Sequence, residues 1–295
     1  MVEDLRPLAF SVAYRMLGSV AEAEDVAQEA LLRLHTADDV DKPAAFVTTV
    51  ATRLAIDVLR SARVRRETYT GSWLPEPLVE EDAGKRLEDE EAVSFAFLLL
   101  LERLSPDERA VLVLRESFDY GFDDIAEILD TSPANARQLL SRARRRVDDE
   151  RPRFDPDPRE RRALVARFLD AARSGDMEGL MAVLAPDAVL VGDGGGKARS
   201  IPRPMHGAAA IARAIVGFYG QVDAWGVTLE PALINGQPGF RTVAPDGRLV
   251  NVVSLDVEGG AIKRLHSQLN PDKLGHLGPL SDLGLRPSVR ATPPA

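Results

Sequence analysis

Residues 193–197 read Asp-Gly-Gly-Gly-Lys, a run whose backbone amides and flanking lysine have the chemistry to cradle a phosphate. The spacing excludes a triphosphate loop. In the pattern G-x-x-x-x-G-K-[ST], ended at Gly196-Lys197, the leading glycine falls on Val191 and the hydroxyl residue on Ala198. The dinucleotide pattern G-x-G-x-x-G, started at Gly192 and Gly194, ends on Lys197. What remains is a glycine-rich turn leaving the apolar run Ala188–Val191. General acid–base chemistry would draw on Asp193, Asp223, Asp256, His206 and His266. Asp193 is expected exposed, with loose geometry, on its glycine loop. His206 reads as a structural or capping residue at a helix start, and His266 lies in mid-strand. The four histidines (35, 206, 266, 276) lack ligand spacing and there is no cysteine, so no metal site and no cofactor are expected.

The other residues with distinctive chemistry are arginines. Ser132–Val147 carries five of them (137, 142, 144, 145 and 146) and no acid, and Arg60–Arg66 carries four and no acid. Between these runs, Glu76–Glu91 holds eight acids against Lys85 and Arg86. The chain as a whole has net charge −9, so the pattern points to localised nucleic-acid contact rather than a general affinity for polyanions. The opening residues lack a basic stretch followed by an apolar one, and the most apolar run, 92–104, is too short to span a bilayer. A cytoplasmic protein without membrane contact is expected.

Helical periodicity accounts for residues 1–66. A first helix stops at Gly18, Ser19 caps a second, and a third follows Asp41-Lys42-Pro43 with Phe46, Val50, Leu54 and Val58 as an apolar repeat. Residues 67 to about 85 lack periodicity and read as a linker. Ser105, Pro106 and Glu108 form a capping box with proline at the favoured first position. Two short helices then meet at Asp130–Pro133, the second opened by Ser132 and studded with arginine: a helix-turn-helix pattern. Asn135, Arg137 and Gln138 suit base edges, while Ser141, Arg142 and Arg145 suit phosphates. Prolines 152, 156 and 158 mark a boundary. Beyond it, two helices, a third at 208–219 and five strand-like runs predict an α+β domain with an antiparallel meander and a Gly259-Gly260 hairpin.

Taken in order, "AEAEDVAQEALLRLH", "AAFVTTVATRLAIDVLRSARVRRE" and "LSPDERAVLVLRESFDYGFDDIAEILDTSPANARQLLSRARRRV" resemble a sigma-70-family transcription initiation factor of the extracytoplasmic-function type. The resemblance implies RNA polymerase core and promoter DNA as partners. It makes Asp25, Gln28 and Glu29 candidates for core contact. Thr49, Arg53, Asp57 and Arg60 become candidates for the −10 element, with Arg63, Arg65 and Arg66 as a phosphate-binding edge. The helix-turn-helix, with Ser132 at its cap, would read the −35 element.

"GSWLPEPL", "DGGGK" and "NPDKL" further resemble the subgroup with a fused SnoaL-like extension. The implied fold is multidomain: two all-α sigma domains followed by an α+β cone of the ketosteroid-isomerase type. The implied boundaries are 1–70, a linker 71–87, 88–150, 159–274 and a mobile tail 275–295. The resemblance also implies regulation in cis by the extension, with no separate anti-sigma factor and no catalysis. Trp73, Leu74 and Leu78, held extended by Pro75 and Pro77, are expected to dock on the extension or to hold the sigma domains together. Asp193, Gly194, Gly195, Gly196 and Lys197 are expected to form a hinge-like contact loop whose glycines allow close approach to a neighbouring domain, with Asp193 and Lys197 pairing across that contact. Asn270, Pro271, Asp272, Lys273 and Leu274 are expected near the sigma domains. Two alternatives stand beside this reading: a cone that binds a small ligand or retains isomerase-type catalysis, and a helix-turn-helix repressor that binds DNA without polymerase.

Overall fold

The computed structural model describes residues 3–67, 69–80, 93–148 and 158–286, excluding the side chains of residues 3, 62–67, 148, 158 and 220–224. The chain forms two compact units that do not follow sequence order. One comprises Met1–Thr68 and Ala96–Arg151, the other Tyr69–Phe95 and Pro152–Ala295.

The first unit is helical. It contains α1 (Arg6–Leu17), α2 (Val20–Thr36), α3 (Pro43–Glu67), all of α4 (Phe95–Leu101) except its first residue, α5 (Pro106–Ser117), α6 (Phe122–Ile128) and α7 (Pro133–Asp148). Its ends are punctuated as the sequence predicts. Gly18 closes α1 at φ 65°, Ser19 Oγ accepts from the Glu22 amide, and Ser105 and Glu108 complete a reciprocal capping box. The α6–α7 turn places Asp130 at φ 50°, a left-handed conformation that aspartate tolerates.

The face of α3 differs from expectation. Val47, Ala51, Ala55, Ile56 and Leu59 are buried, together with Thr48 and Thr52, whereas Phe46, Val50, Leu54 and Val58 are half-exposed. The buried set keeps the same four-residue spacing one position farther along, at Val47, Ala51, Ala55 and Leu59, so the buried face lies about 100° around the helix from the expected one. The small side chains of Ala51 and Ala55 sit in the buried face instead.

The second unit is α+β. After β1 (Val79–Glu80) come α8 (Pro158–Ser174), α9 (Met177–Val183), β2 (Leu184–Asp193), β3 (Met205–His206) and α10 (Ala208–Trp225). Four strands follow: β4 (Thr228–Ile234), β5 (Gln237–Val243), β6 (Leu249–Glu258) and β7 (Ala261–Gln268). The sheet order is β1-β4-β5-β6-β7-β2-β3. β4 to β7 form the expected antiparallel meander, with Gly259 and Gly260 at φ 60° and 77° in the last hairpin. β2, in contrast, runs parallel to β7. It precedes the meander and joins its far edge, so the connection through α10 reverses the direction expected of neighbouring hairpins. The helices bury Phe168, Leu180, Ile211, Ile215 and Tyr219 against Phe240, Val253 and Leu265 of the sheet. Among the described residues, no helix is long and apolar enough to cross a membrane.

Two connecting segments join this unit, the first in line with the expected docking of the linker on the extension, the second against the expected mobile tail. The described part of the linker folds with this second unit, and β1 adds an edge strand by pairing Val79 with Ile234 and Glu80 with Leu233. Residues 275–286, expected to begin a mobile tail, are also bound to the unit: Leu280 bridges Leu249, Leu285 bridges Ala198, and Ser281 is buried. The rest of that expectation, 287–295, lies outside the described residues, as does the acidic stretch 81–92.

Candidate functional site

Three segments widely separated in sequence converge on one carboxylate. Asp193, at the end of β2, is fully buried. Its Oδ2 accepts from Lys273 Nζ at 2.7 Å and from the Leu74 amide at 2.9 Å. Its Oδ1 accepts from the Tyr69 hydroxyl at 2.6 Å and from the Gly195 amide at 3.0 Å. The expected exposure of Asp193 is therefore overturned. The linker roofs the loop and excludes water, and Lys197 pairs with Asp272, at 2.7 Å. Burial, reinforced by the Asp193 carboxylate, raises the Tyr69 pKa far above its ordinary value and keeps the phenol a donor.

Lys273 is almost as buried as Asp193. Its ammonium also donates to the Leu74 carbonyl at 2.6 Å and lies 4.2 Å from the Trp73 ring centroid and 4.8 Å from that of Tyr69. The cation thus sits between an anion, a carbonyl and two aromatic faces, which together replace its hydration. Gln268 Nε2 donates to the carbonyls of Leu74 and Pro75, at 3.3 and 3.1 Å. Asn270 Nδ2 donates to the Tyr69 oxygen at 2.9 Å, while Asn270 Oδ1 caps the 3-10 turn Pro271–Lys273. Farther along the linker, Leu78 and Asn235 exchange two hydrogen bonds and His276 donates to the Pro77 carbonyl. Leu74 and Leu274 are each 1% exposed, and Pro75 and Pro77 are buried.

The structure gives each of the three glycines its own reason: a Cβ on Gly194 would lie 2.7 Å from the Ala198 carbonyl oxygen. A Cβ on Gly195, whose φ is 56°, would lie 2.3 Å from Asn270 Nδ2; one on Gly196, at φ 73°, would touch Thr70 of the linker at 3.3 Å. Gly195→Ala is accordingly expected to weaken linker docking by at least about 1–2 kcal/mol, since a left-handed alanine alone costs that much. A red shift of Trp73 emission in the folded variant would register it; an unchanged spectrum would refute it.

The sequence reading singled out Trp73, Leu74, Pro75, Leu78, the 193–197 loop and residues 270–274, but it expected the last near the sigma domains, whereas Asn270 and Lys273 bind Tyr69 and Leu74 within the second unit. It missed Tyr69, Gln268, Asn235 and His276, which carry no local pattern and are 124 to 201 positions from partners such as Asp193, Asn270 and Pro77. A second contact in this unit was also missed. The Phe95 ring, at the first residue of α4, packs 5.4 Å from the His266 ring. Burial lowers the His266 pKa and Asp256, 3.8 Å away, opposes it. His206 is exposed and pairs with Val189 in β3, two residues before α10 starts; the cap is Gly207 rather than the histidine. The side chain of Asp223 lies outside the described residues.

In the helical unit, Asp25 and Gln28 are exposed on α2, and Glu29 pairs with Arg33 at 2.7 Å. On α3, Thr49 Oγ1 donates to the Ala45 carbonyl. Arg53 reaches the carbonyls of Ile128 and Glu127 at the end of α6, at 2.9 and 3.0 Å. Arg60 lies 3.7 Å from Asp57 and 3.4 Å from Asp107. The side chains of Arg63, Arg65 and Arg66 lie outside the described residues. Arg109 is buried on α5 and ties Glu102 to the Met16 carbonyl of α1.

On α7, Ser132 Oγ accepts from the Asn135 amide, and Asn135, Gln138, Ser141 and Arg145 are exposed. Arg137 lies over the Phe122 ring at 5.0 Å, and Arg142 approaches Glu108 at 3.5 Å. Arg144 and Arg146 pair with Glu116 and Glu108. Four of the five arginines are thus engaged with α5 or α6, and Arg145 extends from the exposed face.

A helical unit presenting a basic second helix after a tight turn, together with an α+β cone, defines a DNA-directed factor with a fused accessory domain. Family models agree by segment: residues 1–65 match Sigma-70 region 2, residues 94–147 match Sigma-70, region 4, and residues 165–263 match the SnoaL-like domain. The chain is 39% identical over 310 residues to the ECF RNA polymerase sigma factor SigJ of Mycobacterium tuberculosis (strain ATCC 25618 / H37Rv), covering 98% of this chain and 96% of that protein. It is 30% identical over 278 residues to the probable ECF RNA polymerase sigma factor SigI of Mycobacterium tuberculosis (strain CDC 1551 / Oshkosh), covering 92% and 93%. The crystal structure of SigJ superposes with a TM-score of 0.77 at 36% identity, over 95% of this chain and 98% of that one. The chain belongs to the extracytoplasmic-function RNA polymerase sigma factors.

Proposed function

We propose that this sigma factor is regulated in cis by its SnoaL-like domain, which sets the reach between its two sigma regions by docking the linker. The observation that carries the reading is the buried Asp193–Lys273 pair closed over the Leu74 backbone. The connection from α3 to α4 is residues 68–94; the C-terminal unit binds 69–80 of it, and also Phe95 at the start of α4. Undocked, those 27 residues would reach about 90 Å; with 69–80 held, residues 81–94 reach only about 50 Å. Region 2 and region 4 must separate to engage two promoter elements, so docking opposes initiation and release favours it. A regulator on the same polypeptide needs no separate anti-sigma factor.

Within this reading Asp25, Gln28 and Glu29 contact core polymerase, and α3, with Thr49, Arg53, Asp57 and Arg60, contacts the −10 element. Arg53 is available only once it leaves the α6 carbonyls. α7 reads the −35 element through Asn135, Arg137 and Gln138. The test is transcription in vitro with core polymerase, comparing the full chain with truncations after Gln268 and after Pro158. Truncation after Gln268 removes Lys273 and is expected to raise promoter-specific output several-fold. Identical output from all three forms would defeat regulation in cis, and no specific transcript from any form would defeat the promoter assignments.

A further inference from the structure

Inside the cone, between the helices and the concave face of the sheet, lies a cavity of about 230 Å³. Phe168, Ile215, Phe218, Phe240 and Val253 form apolar walls, and the exposed Arg199 stands at the rim. The described lining contains no carboxylate or imidazole, so the acid–base pair that catalysis would need is missing from it: Asp193 and His266 face away. The lining does contain unsatisfied polar atoms. Asn251 is 4% exposed; its Nδ2 donates to Ser267 Oγ at 3.2 Å, while its Oδ1 has no partner. Ser200 Oγ is likewise buried without a partner. A buried amide oxygen left unpaired is costly, and a ligand donor would relieve that cost.

The cavity and the linker seat share their backbone. Along β2, Gly192 lines the cavity and Asp193 holds the linker; along β7, Ser267 lines the cavity and Gln268 holds the linker. Immediately beyond, Leu269 and Asn270 divide the two roles in the same way. Successive residues of a strand point to opposite faces, so displacement of one wall of the cavity moves the groups gripping residues 69–75.

We propose that the cone binds a compact, uncharged ring alcohol and that the bound ligand biases linker docking. The apolar walls and small volume select a one- or two-ring body. Asn251 Oδ1 can only accept, which demands a donating hydroxyl, with Ser200 as the second partner. A cation would lose its hydration with no carboxylate in the described lining, and an anion would be held at the exposed rim by Arg199 rather than within the apolar walls. The coupling half of the proposal rests on the docking model of regulation above.

The test uses the full chain carrying Trp225→Phe, so that Trp73 is the sole tryptophan. Cyclohexanol, decahydro-2-naphthol and 2-adamantanol, all transparent where tryptophan is excited, are titrated by calorimetry and by Trp73 fluorescence. At least one is expected to bind with sub-millimolar Kd and to shift Trp73 emission. Asn251→Leu should weaken that binding at least tenfold, and Val253→Phe should abolish it by filling the cavity. If Val253→Phe fails to fold, the near-isosteric Asn251→Leu decides. Binding by none of the three, or binding indifferent to Asn251→Leu, overturns the site. Binding that leaves Trp73 unchanged overturns the coupling. The docking model itself fails by a different measurement, an unchanged transcript level on linker release, which leaves the calorimetry readable.

Discussion

Lys273→Met is expected to raise promoter-directed transcription several-fold and to expose Trp73, with both sigma regions still folded. The substitution keeps most of the side chain's apolar volume but leaves Asp193 as an uncompensated carboxylate at zero exposure. Breaking one side of a buried pair costs about 3–5 kcal/mol. At about 1.4 kcal/mol per tenfold, this shifts the docking equilibrium by more than a hundredfold. Asp193 can recover hydration only by releasing the linker that covers it, because Tyr69 and the Leu74 amide are its remaining lid. The double variant Asp193→Asn/Lys273→Met supplies the control. It removes both charges, an exchange that is often neutral for buried pairs, so it should return output and Trp73 emission towards wild type. A single variant with wild-type output would refute docking as the regulatory step. A double variant as active as Lys273→Met would show that the charge imbalance is not the cause.

The second large effect belongs to α7. Asn135→Ala and Gln138→Ala are each expected to lower transcription from a cognate promoter about 10- to 100-fold, because a good base contact discriminates by about 1–3 kcal/mol. Arg145→Ala should instead weaken binding to all sequences and reduce the salt dependence by about one phosphate contact. Arg144→Ala and Arg146→Ala should leave promoter choice unchanged, since their guanidinium groups are engaged with Glu116 and Glu108. Gel-shift titrations of the polymerase holoenzyme at several salt concentrations separate these outcomes. Loss of discrimination in Arg144→Ala, or none in Gln138→Ala, would assign the reading face differently.

How much of this was legible beforehand depends on the range of the interactions. The capping box at Ser105, the left-handed stop at Gly18, the Gly259-Gly260 hairpin and the α6–α7 turn are each settled within a few residues, and local backbone energetics writes them into the sequence. The arginine run of α7 was equally plain, though which arginines face out was not; Glu108 and Glu116, tens of positions away, decided that. On α3, the apolar repeat misled because the buried side lies one residue farther along, at Val47, Ala51, Ala55 and Leu59, a choice made by packing rather than by local apolar spacing.

The Asp-Gly-Gly-Gly-Lys run shows the same division in one place. Its sequence alone excluded a phosphate loop and fixed a tight, glycine-dependent turn. Only the tertiary structure decided that Asp193 is buried, that its charged partner is Lys273 and that Lys197 pairs with Asp272. It also decided that the linker, 119 residues earlier at Leu74, forms the lid. The physical reason is that the state of a carboxylate depends on what excludes water from it. Here that is chain brought from elsewhere by the fold, which no spacing within the loop records.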